Sequence, residues 1–181
     1  MATPTLVVVS GPPGTGKTRL AHALAPLVPC PAICRDEIKE GMVHAEGVGF
    51  GAEAGDPLTR RTLDVFFEVI RLLLEAETTV VAEAAFQDGL WRHGLEPLSE
   101  LARLRVVHCR VDAAVAWERA VQRASARPAH VVGAHVHDLA AWREHFGAFE
   151  HLSVEAPSTV VDTTDGYSPG LSEIVGFVNA P

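Results

Sequence analysis

The octapeptide Gly11-Pro12-Pro13-Gly14-Thr15-Gly16-Lys17-Thr18 fits the pattern G-x-x-x-x-G-K-[ST], and its flanks constrain the fold more than any other part of the chain. The apolar run Leu6-Val7-Val8-Val9 before it reads as a buried parallel strand. The residues after it, Arg19 to Ala25, read as a helix with Leu20 and Leu24 on one face. Strand, glycine loop and helix together form a phosphate cradle. Backbone N–H groups wrap the phosphate oxygens, and the helix N-terminus adds unpaired donors and the positive end of its dipole. Glycines permit the close backbone approach. In such a loop Lys17 reaches the β- and γ-phosphates of ATP, and the Thr18 hydroxyl ligates Mg²⁺.

The chain has 181 residues, enough for one domain with a substantial core, and a single domain over 1–181 is expected. A hydrophobic share of 48% indicates a globular, soluble protein. No apolar stretch reaches membrane-spanning length, because Leu72-Leu73-Leu74 runs into Glu75 and Glu77. Met1-Ala2-Thr3-Pro4 lacks the basic region of a signal peptide. Cys30, Cys34 and Cys109 are odd in number and scattered, which reads as reduced core cysteines of a cytoplasmic protein. With 15 basic against 23 acidic residues the net charge is −8, which argues against an extended nucleic-acid surface.

Strand and helix signals alternate to the end. Further strands are expected at Ala32–Cys34, Thr78–Ala82, Leu104–Arg110 and Thr159–Val161. Helices are expected from Asp36 to about Val43 and from Leu58 to Ala76, where Asp56-Pro57 supplies the cap. Others are expected from Leu90 to Arg103 with an interruption near Gly94 and Pro97, and from Asp112 to about Ala126. The last two run from His137 to Phe149 and from Ser168-Pro169 to about Val178. Five strands separated by helices imply a parallel sheet covered on both faces. The glycine-rich stretch from Ala45 to Gly55 follows a helix, so it reads as a flap or a surface loop and not as a dinucleotide fingerprint.

Parallel sheets bind ligands at the carboxyl ends of their strands. At the end of the second strand, Asp36 is placed to accept the proton of an attacking hydroxyl, with Arg35 and Lys39 holding an anionic part of the acceptor. The competing role for Asp36 is a helix N-cap. At the end of the third strand, Glu83 is positioned near a Mg²⁺ shell or as a capping acid, and Gln87 and Asp88 lie where they would line an acceptor pocket. Arg119, Arg123 and Arg127 recur every four residues on one helix face, which suits either a triphosphate clamp or a solvated helix. His130, His135, His137, His145 and His151 match no common zinc spacing.

These residues together resemble the small P-loop kinases of the adenylate-kinase-like group, which includes bacterial AAA family ATPase or predicted kinase proteins, polynucleotide kinase and chloramphenicol phosphotransferase. The likeness rests on Gly11–Thr18, on Cys34-Arg35-Asp36-Glu37-Ile38-Lys39 and on Val80-Val81-Ala82-Glu83-Ala84-Ala85-Phe86. It extends to Glu118-Arg119 with Arg123 and Arg127, and to Val161-Asp162-Thr163-Thr164. It implies a P-loop NTPase three-layer α/β sandwich with a five-stranded parallel sheet in the order 2-3-1-4-5. It also implies Asp36 as general base, Arg123 or Arg127 as lid arginines in a segment of about 119–137, and an adenine site near Thr163 to Gly166, with Arg119 and Thr163 counted among the residues that bind the nucleotide. Glu83 stands where polynucleotide kinase has an aspartate. The expected activity is ATP- and Mg²⁺-dependent phosphoryl transfer to a hydroxyl of a small molecule. The alternatives are a kinase of nucleic-acid 5′-hydroxyl ends and a nucleotide-binding switch or partner module.

Overall fold

A computed structural model of the protein describes residues 3–46, 57–126 and 138–181. Strand β1 (Thr5–Ser10) is followed by α1 (Lys17–Leu24), β2 (Ala32–Cys34), α2 (Arg35–Glu46) and α3 (Pro57–Glu75). Then come β3 (Val80–Glu83), α4 (Asp88–Leu95), a 3₁₀ turn over Glu96–Glu100 and β4 (Arg103–Arg110). The chain continues through α5 (Ala113–Ala126), α6 (Leu139–Gly147), β5 (Ser158–Asp162) and α7 (Leu171–Asn179). The five strands are parallel in the order β2-β3-β1-β4-β5. This is the topology that the family resemblance implies.

Alternation along β1 separates two cores. Leu6 and Val8 point to one face, where they pack with Phe66, Ile70 and Leu74 of α3 and Trp91 and Leu95 of α4. Val7 and Val9 point to the other, against Leu20 and Leu24 of α1 and Ile174 and Val178 of α7. All four β1 residues are fully buried, as expected of a central parallel strand covered on both sides. The same alternation in β3 sends Val80 and Ala82 to the α3 side and leaves Val81 and Glu83 on the α1 side. Strand alternation alone therefore turns an acidic side chain toward the helix that carries Lys17 and Thr18.

Several element boundaries differ from the sequence expectation for identifiable reasons. Thr78 and Thr79 lie outside β3, and the Thr79 hydroxyl instead accepts the Thr5 N–H at 3.0 Å. Strand β3 extends instead to Glu83, which lies opposite Val9. Helix α2 begins directly at Arg35 and runs on to Glu46, past the expected end at Val43. Helix α6 starts at Leu139 because Asp138 caps it, accepting the Ala140 N–H at 2.8 Å. Helix α7 starts at Leu171, since Ser168 is still bridged to Asp162, and the Glu173 carboxylate accepts the Gly170 N–H at 3.1 Å. Pro57 opens α3 as expected, whereas Asp56, the stretch 47–55 and residues 127–137, with Arg127 and three of the histidines, lie outside the described residues. Residues 119–126 of the expected lid form the end of α5.

Phe66 is the centre of the α3-side core, with ring centroids 5.6 Å from Phe67, 5.9 Å from Phe86 and 5.9 Å from Trp91. It is completely buried. Phe66→Ala is expected to lower the unfolding free energy by about 3–5 kcal/mol. In urea titrations this appears as a drop in midpoint at unchanged slope.

Candidate active site

The glycine loop closes on itself around one carbonyl. The Pro12 oxygen accepts the Thr15 hydroxyl at 2.7 Å, the Thr15 N–H at 3.4 Å and the Lys17 ammonium at 3.0 Å. Gly14 has φ of +81°, and a Cβ there would collide with the backbone of Ala116 in α5. Gly11, with φ of +147°, passes so near β4 that a Cβ would lie 2.6 Å from the Cys109 carbonyl oxygen. The loop is thus wedged between the ends of β1 and β4 and the start of α5.

Glu83 is the deepest charged group of the site, 3% exposed. Its Oε2 accepts the Thr18 hydroxyl at 3.0 Å, and its Oε1 lies 4.0 Å from Lys17 Nζ. Burial raises its pKa above the ordinary 4.5, and Asp36 pushes in the same direction. Lys17, the Thr18 hydroxyl and Arg123 act against that rise. The charges of Asp36 in α2 and Arg123 in α5 thus bear on this carboxylate with opposite sign. The Thr18 hydroxyl and the Glu83 carboxylate are hard oxygen donors, the type that magnesium takes.

Asp36 sits in the first turn of α2 and accepts from Arg35 at 2.9 Å. Its side chain is half exposed, while that of Arg35 is largely buried and its Nε has no hydrogen-bond partner among the described residues. Lys39, one turn on, donates to Thr59 of α3 at 3.0 Å. Gln87 precedes α4 and is bridged through its backbone to His151, whose ring stacks edge-on against His108 at 5.3 Å. This histidine pair was not singled out by the sequence, since residues 108 and 151 belong to different elements.

On the other side of the loop, a cleft of about 700 Å³ runs between Gly14, Gly16, Arg119, Arg123 and the turn from Thr163 to Tyr167. Thr163 donates its hydroxyl to the Thr15 carbonyl at 2.7 Å and so ties the end of β5 to the loop. Arg119 donates to the carbonyls of Thr163 at 2.8 Å and Thr164 at 3.0 Å. Of the arginines that spacing grouped as a triphosphate clamp or a solvated face, Arg119 braces the cleft wall through these carbonyls, and Arg123 lines the same cleft. Cys34 and Cys109 are buried, and burial pushes their thiols up, Cys109 to about 12, which favours the neutral thiol in the metal-free protein.

The raised Glu83 value has a defined consequence for stability. A carboxyl that binds its proton more tightly folded than unfolded stabilises the fold most below its unfolded pKa, about 4.5. That contribution is lost as pH rises from there through the folded value. Urea midpoints measured from about pH 4 to about pH 8 should therefore fall for the nucleotide-free protein relative to Glu83→Gln. A second expectation concerns Gly14→Ala, which should abolish nucleotide binding in a fluorescent-nucleotide titration, because the loop must leave α5 to admit the methyl group.

Comparison with known proteins bears on the family and the fold. The model of a family described as AAA domain matches residues 6–146. No curated protein matches the chain. Among solved structures, a candidate kinase from Chloroflexus aurantiacus is similar, with 25% identity, TM-score 0.83 and coverage of 98% of this chain and 97% of that one. A gluconokinase from Sinorhizobium meliloti shares the fold at 21% identity and TM-score 0.56, covering 97% of this chain and 89% of its own. An APS kinase from Mycobacterium tuberculosis, in complex with AMPPNP and APS, does so at 15% identity and TM-score 0.62, covering 98% of each chain. The chain belongs to the AAA domain family and is a small P-loop protein of the kinase type.

Proposed function

We propose that this protein is an ATP- and Mg²⁺-dependent phosphotransferase that moves the γ-phosphoryl group to a hydroxyl of a small molecule. The reading is carried by the glycine loop together with the buried carboxylate of Glu83, which accepts from Thr18 at 3.0 Å and lies 4.0 Å from Lys17. The acceptor oxygen forms a bond to the γ-phosphorus while the bond to the ADP oxygen breaks, and Asp36 takes the hydroxyl proton. Lys17, Arg123 and, outside the described residues, Arg127 offset charge that spreads over the phosphoryl oxygens. Bound magnesium would neutralise phosphate charge, with Thr18 and Glu83 as its nearest protein donors. The loop residues Gly11 to Thr18 would hold the β-phosphate, and the cleft between Arg119 and Thr163 would take the nucleoside end.

On the acceptor side, Arg35 and Lys39 flank Asp36 in α2, and with Gln87 before α4 they make a set that favours an acceptor bearing an anionic group. The gluconokinase and APS kinase folds are compatible with small acceptors of that sort. A net charge of −8 weighs against a nucleic-acid backbone. All three cysteines are free, which suits a reducing cytoplasm.

Lys17→Ala should abolish ATP turnover. Asp36→Asn should lower transfer by roughly 10²–10⁴-fold while ATP affinity stays within about twofold. The measurement is an ATP-consumption screen over hydroxyl-bearing metabolites, nucleosides, antibiotics and 5′-hydroxyl oligonucleotides. Unimpaired transfer by Asp36→Asn would remove the base assignment. Turnover with oligonucleotides alone would replace the small-molecule acceptor by a nucleic-acid end.

A further inference from the structure

Three side chains from three separate elements meet where α1, the end of β2 and the start of α2 come together. His22 belongs to the last turns of α1, Cys34 ends β2, and Glu37 lies in the first turn of α2. His22 Nε2 is 2.8 Å from Glu37 Oε1 and 3.7 Å from Cys34 Sγ, and the three ligand atoms all lie within 4.8 Å of one another. We propose that His22, Cys34 and Glu37 form a zinc-class metal site with a fourth position open to solvent.

The spacing carries the first part of the argument. Zinc bonds of about 2.0–2.3 Å in a tetrahedron hold neighbouring ligand atoms roughly 3.3–3.7 Å apart. The sulfur–nitrogen pair is already at that separation. The nitrogen–oxygen pair must open by about half an ångström to reach it. Both of those side chains are at the surface, His22 51% and Glu37 44% exposed, so small torsional changes suffice. The donor types carry the second part. One sulfur, one imidazole and one carboxylate suit a borderline ion such as Zn²⁺ or Co²⁺, and magnesium, which demands oxygen, is excluded by them.

The site also has a rigid floor and an entry path. Cys34 is 2% exposed and held in register opposite Glu83 between β2 and β3, whereas the imidazole and carboxylate above it face water. As the metal–sulfur bond forms, the thiol proton leaves to solvent. Occupancy would clamp α1 to the start of α2, directly adjacent to Asp36. Metal binding does not depend on the phosphotransferase reading; the effect on Asp36 does.

The test uses the full chain, stripped with a chelator and free of nucleotide. Titration with Co²⁺ is expected to produce a thiolate-to-cobalt charge-transfer band at one equivalent, which Zn²⁺ then bleaches. The band should be absent in Cys34→Ala and present in Cys30→Ala. Zn²⁺ affinity, measured by competition with a chromophoric chelator, should fall tenfold or more in His22→Asn and in Glu37→Gln. No band in the wild type, a band that survives in Cys34→Ala, or unchanged affinity in both surface variants would overturn the site and leave only a His–Glu ion pair. The two surface variants decide the question even if Cys34→Ala does not fold. Because the readout is spectroscopic, an inactive phosphotransferase would leave the result intact.

Discussion

A carboxylate removed from water governs how this molecule is built. Glu83 is 3% exposed, and the desolvation of such a group costs several kcal/mol. Attraction to Lys17 at 4.0 Å offsets part of that cost, about 4 kcal/mol at an effective dielectric near 20, and burial still prevails, as the raised pKa of Glu83 shows. It therefore does not explain why the fold is stable. What it demands is registration: β3 must end beside β1 with Glu83 opposite Val9, and α1 must start where Lys17 and Thr18 can answer the charge. The apolar cores on both faces supply the stability that holds this arrangement in place.

The two faces of the sheet are chemically unequal. Toward α3 and α4 the contacts are aromatic and aliphatic, with Phe66, Phe86 and Trp91 in mutual contact. Toward α1 the apolar layer gives way at the carboxyl ends of the strands to Glu83, Cys34, Lys17 and Thr18. Odd and even positions of short strands make that division, because neighbouring residues point oppositely. Thus Ala82 packs in the core while Glu83, its neighbour, enters the site.

Elements whose signal is local were legible in the sequence. The glycine loop is contiguous, and β1, β4 and α3 declare themselves by apolar runs and helical spacing. The strand order came through resemblance, since nothing in periodicity alone states which strands pair. Contacts between distant residues were hidden. Glu83 could be placed at a strand end, but its bond to Thr18 spans 65 residues. The four-residue spacing of the arginines identified a shared helix face and could not show that Arg119 would bind backbone carbonyls, which every residue offers. His22, Cys34 and Glu37 follow no motif spacing, because α1 and β2 bring them together only once the sheet has formed.

The turn after β5 is anchored at several points before any ligand arrives. The Thr163 hydroxyl is fixed to Thr15, the carbonyls of Thr163 and Thr164 to Arg119, and the Thr164 N–H to Asp162, while Asp162 and Ser168 exchange backbone hydrogen bonds. A guest in the adjoining cleft therefore finds its wall already assembled and forfeits little affinity to chain ordering. Selectivity at that end follows from shape and donor placement, and the entropic cost of recognition falls instead on whatever must still be gathered around the incoming hydroxyl.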